Sequence, residues 1–253
     1  MPLTVESLSF GYSPERIILN NVSLKIEDGE FLSIVGPNGC GKTTLVKCLN
    51  RIHTPAKGKI SFDEMDVLRA RPREIAEKIG YVPQCAGECM SGTVTDYILL
   101  GRRRFLKWKV DRRDLAAVMS AMERLEITEL ANRNFSELSG GQKQKVLIAR
   151  AIAQEPDLFL FDEPTSSLDI KNQLEIMSLA QGIVRDLHKT VIVVVHDLNM
   201  ARHYSDRVAL MSEGKIVACG LPTEILTPKN IKRIYGVDVK ITADRLIDPF
   251  AFP

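Results

Sequence analysis

Gly36-Pro37-Asn38-Gly39-Cys40-Gly41-Lys42-Thr43 decides how this chain of 253 residues is read. The stretch fills every fixed position of the pattern G-x-x-x-x-G-K-[ST], and its surroundings are those the chemistry needs. Upstream stands the apolar run Phe31 to Val35, introduced by the turn Asp28-Gly29-Glu30; downstream, Lys42 to Leu49 takes a helical period. In the order strand, glycine loop, helix, backbone N–H groups can converge on a chain of phosphates with the positive end of the helix behind them. Lys42 supplies a point charge and Thr43 a hydroxyl for Mg²⁺. A glycine turn that binds nothing is the alternative, and the flanking strand and helix speak against it.

Outward from the loop, Val22, Leu24 and Ile26 alternate with polar neighbours, so two strands joined by a tight turn are expected before Gly36. A strand at Lys59 to Asp63, a helix after Pro72 and a strand at Ile79 to Val82 follow. From about Cys85 to Gln154 the β-branched runs vanish, and helical periodicity appears in Val94 to Leu100, Leu115 to Leu125 and Lys143 to Ala153. This predicts an inserted helical subdomain. Strands return at Leu158 to Asp162, Val191 to Val195 and Val208 to Met211, with a helix at Gln173 to Leu187. Strands alternating with helices predict an α/β fold with a mostly parallel sheet covered on both faces. The tail from Gly214 carries a strand at Lys215 to Ala218 and two short segments punctuated by Pro222 and Pro228.

Hydrophobic residues make up 45% and charged residues 26% of the chain, the balance of an ordinary folded domain. The net charge of +2 gives no whole-chain attraction for nucleic acid, which is excluded as a partner on this ground. No apolar run approaches the roughly 18 residues of a spanning helix, and no basic segment followed by an apolar stretch marks a signal peptide. Five cysteines, an odd number, fit a reducing compartment. Cys85 and Cys89 lack the second Cys/His pair that a closed zinc site needs, so they are read as incidental.

Leu158-Phe159-Leu160-Phe161-Asp162-Glu163 is a buried-strand pattern ending in two carboxylates. Successive side chains of a strand point to opposite faces, so the two acids can take different tasks. Asp162 is expected to hold Mg²⁺, directly or through water, and Glu163 to polarise an attacking water. Paired acids are commonly only a solvated turn; the phosphate loop tips the reading towards chemistry. His196 closes the run Val191 to Val195 at another strand end, where ligands of open α/β folds bind. A γ-phosphate contact is expected of it, with a structural histidine as the alternative.

Leu138-Ser139-Gly140-Gly141-Gln142 resembles the signature segment of ABC ATPases and precedes the Asp162/Glu163 strand as it does in that family. Gln84 in Tyr81-Val82-Pro83-Gln84 resembles the glutamine loop, Ser166-Ser167-Leu168-Asp169 the loop that bridges two sites, and His196 the switch histidine. Tyr12 in Phe10-Gly11-Tyr12 resembles the aromatic that stacks on adenine. The resemblance covers essentially the whole chain. It implies an α/β P-loop NTPase (RecA-like) core with an N-terminal antiparallel β subdomain and an inserted α-helical subdomain, in one domain. The core and β subdomain would occupy 1–84 and 155–213, the helical signature subdomain 85–154, and a tail 214–253.

The same resemblance implies a site shared by two copies. ATP held at Gly36, Pro37, Asn38, Gly39, Cys40, Gly41, Lys42, Thr43 and Thr44 of one copy would be covered by Leu138, Ser139, Gly140, Gly141 and Gln142 of a second copy facing it head to tail. Ser167 and Asp169 would lie in the loop joining the two. Mg²⁺ would sit on Thr43, Gln84 and Asp162, with Glu163, His196 and Gln84 acting in hydrolysis.

About 100 residues separate the loop from the signature, which leaves no room for the coiled coil of DNA-repair relatives. One cassette with no fused membrane domain resembles a stand-alone importer subunit. Such a subunit would lie on the cytoplasmic face of the membrane, as a homodimer by that resemblance, with transmembrane permease subunits as partners and a substrate-binding protein acting indirectly. Gly36 to Thr44 with its cysteine, Thr93 to Arg102, and Leu226-Thr227-Pro228 through Tyr235-Gly236-Val237 are similar to the subgroup serving iron-siderophore, haem and cobalamin uptake. Zinc and manganese importers share much of this frame, and a soluble ABC regulator without a membrane partner is the rival reading. A P-loop GTPase is disfavoured because no Asn-Lys-x-Asp segment is present. Arg102 to Arg113 holds seven basic residues against one acid; it is read either as a solvated face or as a patch near lipid headgroups or the membrane partner, with Arg103, Arg104 and Lys107 at its centre.

Overall fold

The computed structural model describes residues 1–13, 15–85, 92–103, 105, 110–242 and 246–249. In chain order the elements begin with β1 (Leu3–Ser13), β2 (Arg16–Ile26), β3 (Phe31–Val35), α1 (Lys42–Leu49), β4 (Lys57–Phe62) and β5 (Met65–Asp66). Then come α2 (Pro72–Lys78), β6 (Ile79–Val82), α3 (Val94–Leu99), α4 (Arg112–Arg124), α5 (Gly140–Ala153), β7 (Leu158–Asp162) and α6 (Ile170–Leu187). The chain closes with β8 (Thr190–Val194), α7 (Leu198–Tyr204), β9 (Arg207–Ser212), β10 (Lys215–Gly220), α8 (Pro222–Ile225), α9 (Pro228–Tyr235), β11 (Lys240–Ile241) and β12 (Ile247–Asp248). These form two compact units, one of Met1–Ala70 with Thr190–Pro253, the other of Arg71–Lys189.

In the first unit, β3 lies between two parallel partners. Phe31 to Ile34 pair with Val191 to Val194 of β8, and Leu32 to Val35 with Arg207 to Leu210 of β9, while β10 runs antiparallel on the outer side of β9. All residues of β3 and β8 are buried, which is why they read as continuous apolar runs. An antiparallel sheet of order β2-β1-β4-β5 stands apart from this ladder. The turn at Gly29 (φ +69°) therefore carries the chain from β2 in one sheet to β3 in the other, so the two strands expected around it are present without pairing.

β1 escaped the sequence pattern for a local reason. Leu3, Val5, Leu8 and Phe10 are its buried residues, but the register shifts between Val5 and Leu8, with Ser7 at φ +49°. An extra residue in one strand of a ladder breaks strict alternation while preserving the buried face.

In the second unit β6 and β7 pair in parallel, from Ile79↔Leu158 to Val82↔Phe161. The helices expected between them are present. Tyr97 of α3 stacks on Phe135 with ring centroids 4.2 Å apart, and the guanidinium of Arg150 from α5 lies over the Tyr97 ring. Gly101 is pressed so closely to the Arg150 carbonyl that a Cβ there would lie 2.2 Å from its oxygen.

The basic segment divides. Arg102 belongs to the interior and not to a solvated or lipid-facing surface: its side chain is 6% exposed and bonds Asp114 (3.1 Å), Glu155 (2.8 Å) and the Ala153 carbonyl (2.9 Å), with the Phe105 ring 3.7 Å from its guanidinium carbon. A buried charge must be paired and fully hydrogen-bonded, and the guanidinium fork does both. Arg103, Arg112 and Arg113 are exposed. Arg104 and Lys107, like Cys89, lie outside the described residues.

Asp157, just before β7, accepts from Lys189 (2.7 Å) and Lys78 (3.0 Å). Burial pushes its carboxyl pKa up, but the two ammonium donors outweigh burial and hold it below the usual carboxylate range. Since the folded-state value lies below the unfolded one, its contribution is present above the unfolded pKa and lost as pH falls through the folded one. Asp157→Asn is expected to lower stability by about 1 kcal/mol at neutral pH, the worth of a partly solvated pair. Urea melts should show the gap to wild type narrowing as pH drops well below 4.

Candidate active site

The glycine loop follows β3 directly, and backbone geometry dictates its composition. At Gly36 (φ +156°) a Cβ would lie 2.3 Å from the Met211 carbonyl oxygen of β9, and at Gly41 (φ +105°) 2.9 Å from Leu19. Gly41 starts α1 in a left-handed conformation with no side chain capping the helix. By contrast α3, α4, α5, α6, α7 and α9 begin at Thr93, Asp111, Ser139, Asp169, Asp197 and Thr227, each accepting a helix N–H. α1 thus starts with no side-chain cap, and the positive end of a helix favours an anion.

Lys42 strengthens that inference. It is 4% exposed, and its ammonium donates to the carbonyls of Gly36 (2.8 Å) and Pro37 (3.0 Å). Among the described residues no carboxylate lies within ion-pair distance of it. An ammonium buried without a counter-charge is costly, and a polyphosphate would supply that charge. Cys40, also in the loop, is buried; burial raises its thiol pKa against the opposing charge of Lys42, so it stays a thiol at neutral pH. Thr44 is buried in the first turn of α1, with Thr43 partly exposed beside it.

Tyr12 is 57% exposed, on β1. Its ring meets Phe10 and His53 edge-on at 5.1 and 5.5 Å, its hydroxyl lies 3.3 Å from His53 Nε2, and Phe10 and His53 stack on each other at 5.0 Å. A supported, exposed aromatic ring is a surface on which a base can stack. His53 went unseen in the sequence, since a lone histidine after a helix carries no signal. His196 is exposed at the end of β8, after Val195, whose N–H bonds the Ile34 carbonyl (3.2 Å).

The second unit carries the acids. Asp162 ends β7, is 3% exposed and accepts from the Tyr81 hydroxyl (3.0 Å). Burial and the Asp162 charge together push the Tyr81 pKa far up, so the phenol stays protonated and acts as a donor. Glu163 takes φ +52°, unusual for a side-chain-bearing residue. Its carbonyl accepts from Ser166 Oγ (3.0 Å), while Gln84 Nε2 donates to Glu163 Oε2 (2.9 Å) and to Ser166 Oγ (3.1 Å). Both hydrogens of the Gln84 amide are thereby engaged, and its oxygen is an acceptor only. Tyr81 and Ser166 had no role in the sequence reading, although both lie inside quoted motifs. Within the second unit the Asp162 carboxylate and the Gln84 carbonyl are oxygen groups, the ligand type Mg²⁺ takes.

Ser139, Gly140, Gly141 and Gln142 form the start of α5, which begins at Gly140, three residues earlier than the periodicity indicates. Ser139 Oγ accepts from Gln142 N–H (3.3 Å) and Gln142 Oε1 from Ser139 N–H (3.0 Å), a reciprocal cap that holds the turn open to solvent at Ser139 and Gly140. Leu138 is buried and anchors it. Asp169 caps α6 and grips the Asn172 side chain (2.8 Å), and that amide is so close to Gly141 that a Cβ there would lie 2.5 Å from Asn172 Oδ1. Ser167, exposed at φ +69°, completes the bend before Asp169. The signature segment and the expected dimer loop are thus one interlocked surface.

Comparison with known proteins matches residues 19–166 to the family described as ABC transporter. The chain is 39% identical to the ferric enterobactin transport ATP-binding protein of Escherichia coli over 94% of its own length and 89% of that protein. Among solved structures it is similar to a metal-chelate type ABC transporter in an inward-facing conformation (TM-score 0.83, 34% identity, 94% of this chain and 90% of that one). It is similar as well to a dimeric ATP-binding cassette bound to ADP and phosphate (TM-score 0.78, 30% identity, 87% of this chain and 98% of that one).

Two substitutions test the nucleotide contacts. Lys42→Ala is expected to abolish ATP binding measured by calorimetry. Tyr12→Ala is expected to weaken it by roughly 1–3 kcal/mol, the worth of one stacked base, with Tyr12→Phe close to wild type.

Proposed function

Because this chain belongs to the ABC transporter family as an ATP-hydrolysing subunit, we propose that it drives import of a metal chelate, of the iron-siderophore, haem or cobalamin kind, through a transmembrane permease. Lys42 carries the nucleotide part of this reading: a buried ammonium at an uncapped helix start calls for a polyphosphate. The relationship to a ferric enterobactin transport subunit and to a metal-chelate type transporter supports the cargo class. No helix among the described residues is long and apolar enough to cross a membrane. The subunit would work at the cytoplasmic face of the membrane, and a substrate-binding protein would hand cargo to the permease.

In this reading ATP stacks on Tyr12 and its phosphates lie on the loop Gly36 to Thr44, with Lys42 and the α1 N–H groups neutralising them. Thr43, Asp162 and Gln84 would hold Mg²⁺, which supplies charge neutralisation at the β- and γ-phosphates. Glu163, its carboxylate oriented by the Gln84 amide, accepts a proton from the attacking water, and His196 contacts the γ-phosphate. The exposed start of α5 at Ser139 and Gly140 offers N–H groups and a helix dipole to the γ-phosphate held by a second copy. The similarity to a dimeric cassette supports this pairing. Closing on ATP and reopening after phosphate release would then gate the permease.

Glu163→Gln retains a hydrogen-bonding shape without the base. It is expected to lose roughly 10²- to 10⁴-fold in turnover while binding ATP as tightly as wild type and accumulating as a closed dimer on a sizing column. Turnover equal to wild type would refute the assignment of the base. Co-purification of a permease with the tagged chain separates the importer from a soluble regulator, which would bring none.

A further inference from the structure

The short helix after His196 is held by the end of the chain. α7 has seven residues, too few to persist on its own hydrogen bonds. Asp197 caps it, accepting from Asn199 N–H (2.7 Å) and Met200 N–H (3.1 Å), and Met200, Ala201 and Tyr204 are buried. Two of its side chains then reach the C-terminal segment. The Asn199 amide makes a two-point contact with the backbone of Ile247, Nδ2 donating to its carbonyl (3.2 Å) and Oδ1 accepting from its N–H (2.8 Å). Arg202 donates to the Leu226 carbonyl (3.2 Å).

Ile247 is itself fixed, since β12 pairs with β11 through Ile241↔Ile247 and the Thr242 N–H bonds the Leu246 carbonyl (2.9 Å). The same segment brings Tyr235 to the glycine loop. Its hydroxyl is buried beside the Gly36 backbone and Cys40. The C-terminal segment thus touches the glycine loop and the helix that follows His196.

We propose that Asn199 is a positioning residue for hydrolysis, which ties α7 to Ile247 and so fixes the strand end bearing His196, making the C-terminal segment a working part of the nucleotide site. The proposal rests on the reading of His196 as a γ-phosphate contact. A primary amide is the side chain that matches both the N–H and the C=O of one residue; Asp keeps only the acceptor, and Ala keeps neither.

The test is steady-state ATPase of the full chain. Asn199→Ala is expected to lower kcat roughly 10-fold, short of the 10²-fold cost of a 1 Å misplacement at a reacting centre, with KM for ATP unchanged because the loop and Tyr12 are untouched. Asn199→Asp should fall between wild type and Asn199→Ala. Ile247→Pro removes the N–H half of the same pairing from the other side, and the double variant should be no slower than the slower single one. Hydrogen exchange at the α7 amides should quicken in each variant with the rest of the chain protected as before. Should Ile247→Pro not fold, the graded order of the two Asn199 variants carries the decision. His196→Ala with wild-type turnover would overturn the histidine reading and the proposal with it. Loss of turnover in His196→Ala beside wild-type kcat in Asn199→Ala, a raised KM in place of a lowered kcat, or multiplicative losses in the double variant would each overturn the proposal alone.

Discussion

A lysine ammonium withdrawn from water, held by two carbonyl oxygens and facing no carboxylate among the described residues, is the constraint around which the first unit is arranged. Such a charge is tolerable only where the backbone is stiff enough to keep it in place and an anion can arrive to meet it. Stiffness comes from β3, bonded in parallel on both sides, and from Gly36, pressed against the Met211 carbonyl with no space for a side chain. Access comes from the left-handed Gly41, which starts α1 without a cap. The ladder, the glycines and the lysine therefore act as one device.

The second unit solves a complementary problem. Glu163 must stand off the end of β7 in a conformation that its own backbone disfavours, and the bond from Ser166 to its carbonyl together with the Gln84 amide on its carboxylate keep it there. Nearby, Asp169 grips Asn172, Asn172 fills the space that Gly141 leaves, and Ser139 and Gln142 cap each other. A helix start built in this way is presented outward and ready-made, so a partner's nucleotide would meet a surface that needs no ordering on arrival.

Motifs with fixed spacing were legible in the sequence because their chemistry resides in consecutive residues. The loop from Gly36 to Thr43, the acids at the end of β7 and the strand before His196 all stand where the pattern puts them. Features that depend on distant partners were not legible. The bulge at Ser7 hid β1, and with it the scaffold that carries Tyr12. Arg102 read as part of a charged surface because Asp114 and Glu155, its counter-charges, lie 12 and 53 residues further on. Tyr81, Ser166 and His53 act through side-chain contacts that no periodicity reports. α7 and the β11/β12 pair are too short for periodicity, and the bond between them joins residues 48 apart.

The account stands or falls on the claim that one copy supplies the phosphate loop and another the signature surface for each hydrolysed nucleotide. ATPase turnover per molecule, measured with Mg²⁺ across a dilution series of the wild-type chain, addresses it most directly. The account predicts a rate per molecule that falls towards zero as dilution separates the copies and recovers when the protein is concentrated again. A rate per molecule that holds constant far below the concentration at which sizing or sedimentation shows only monomer would contradict it.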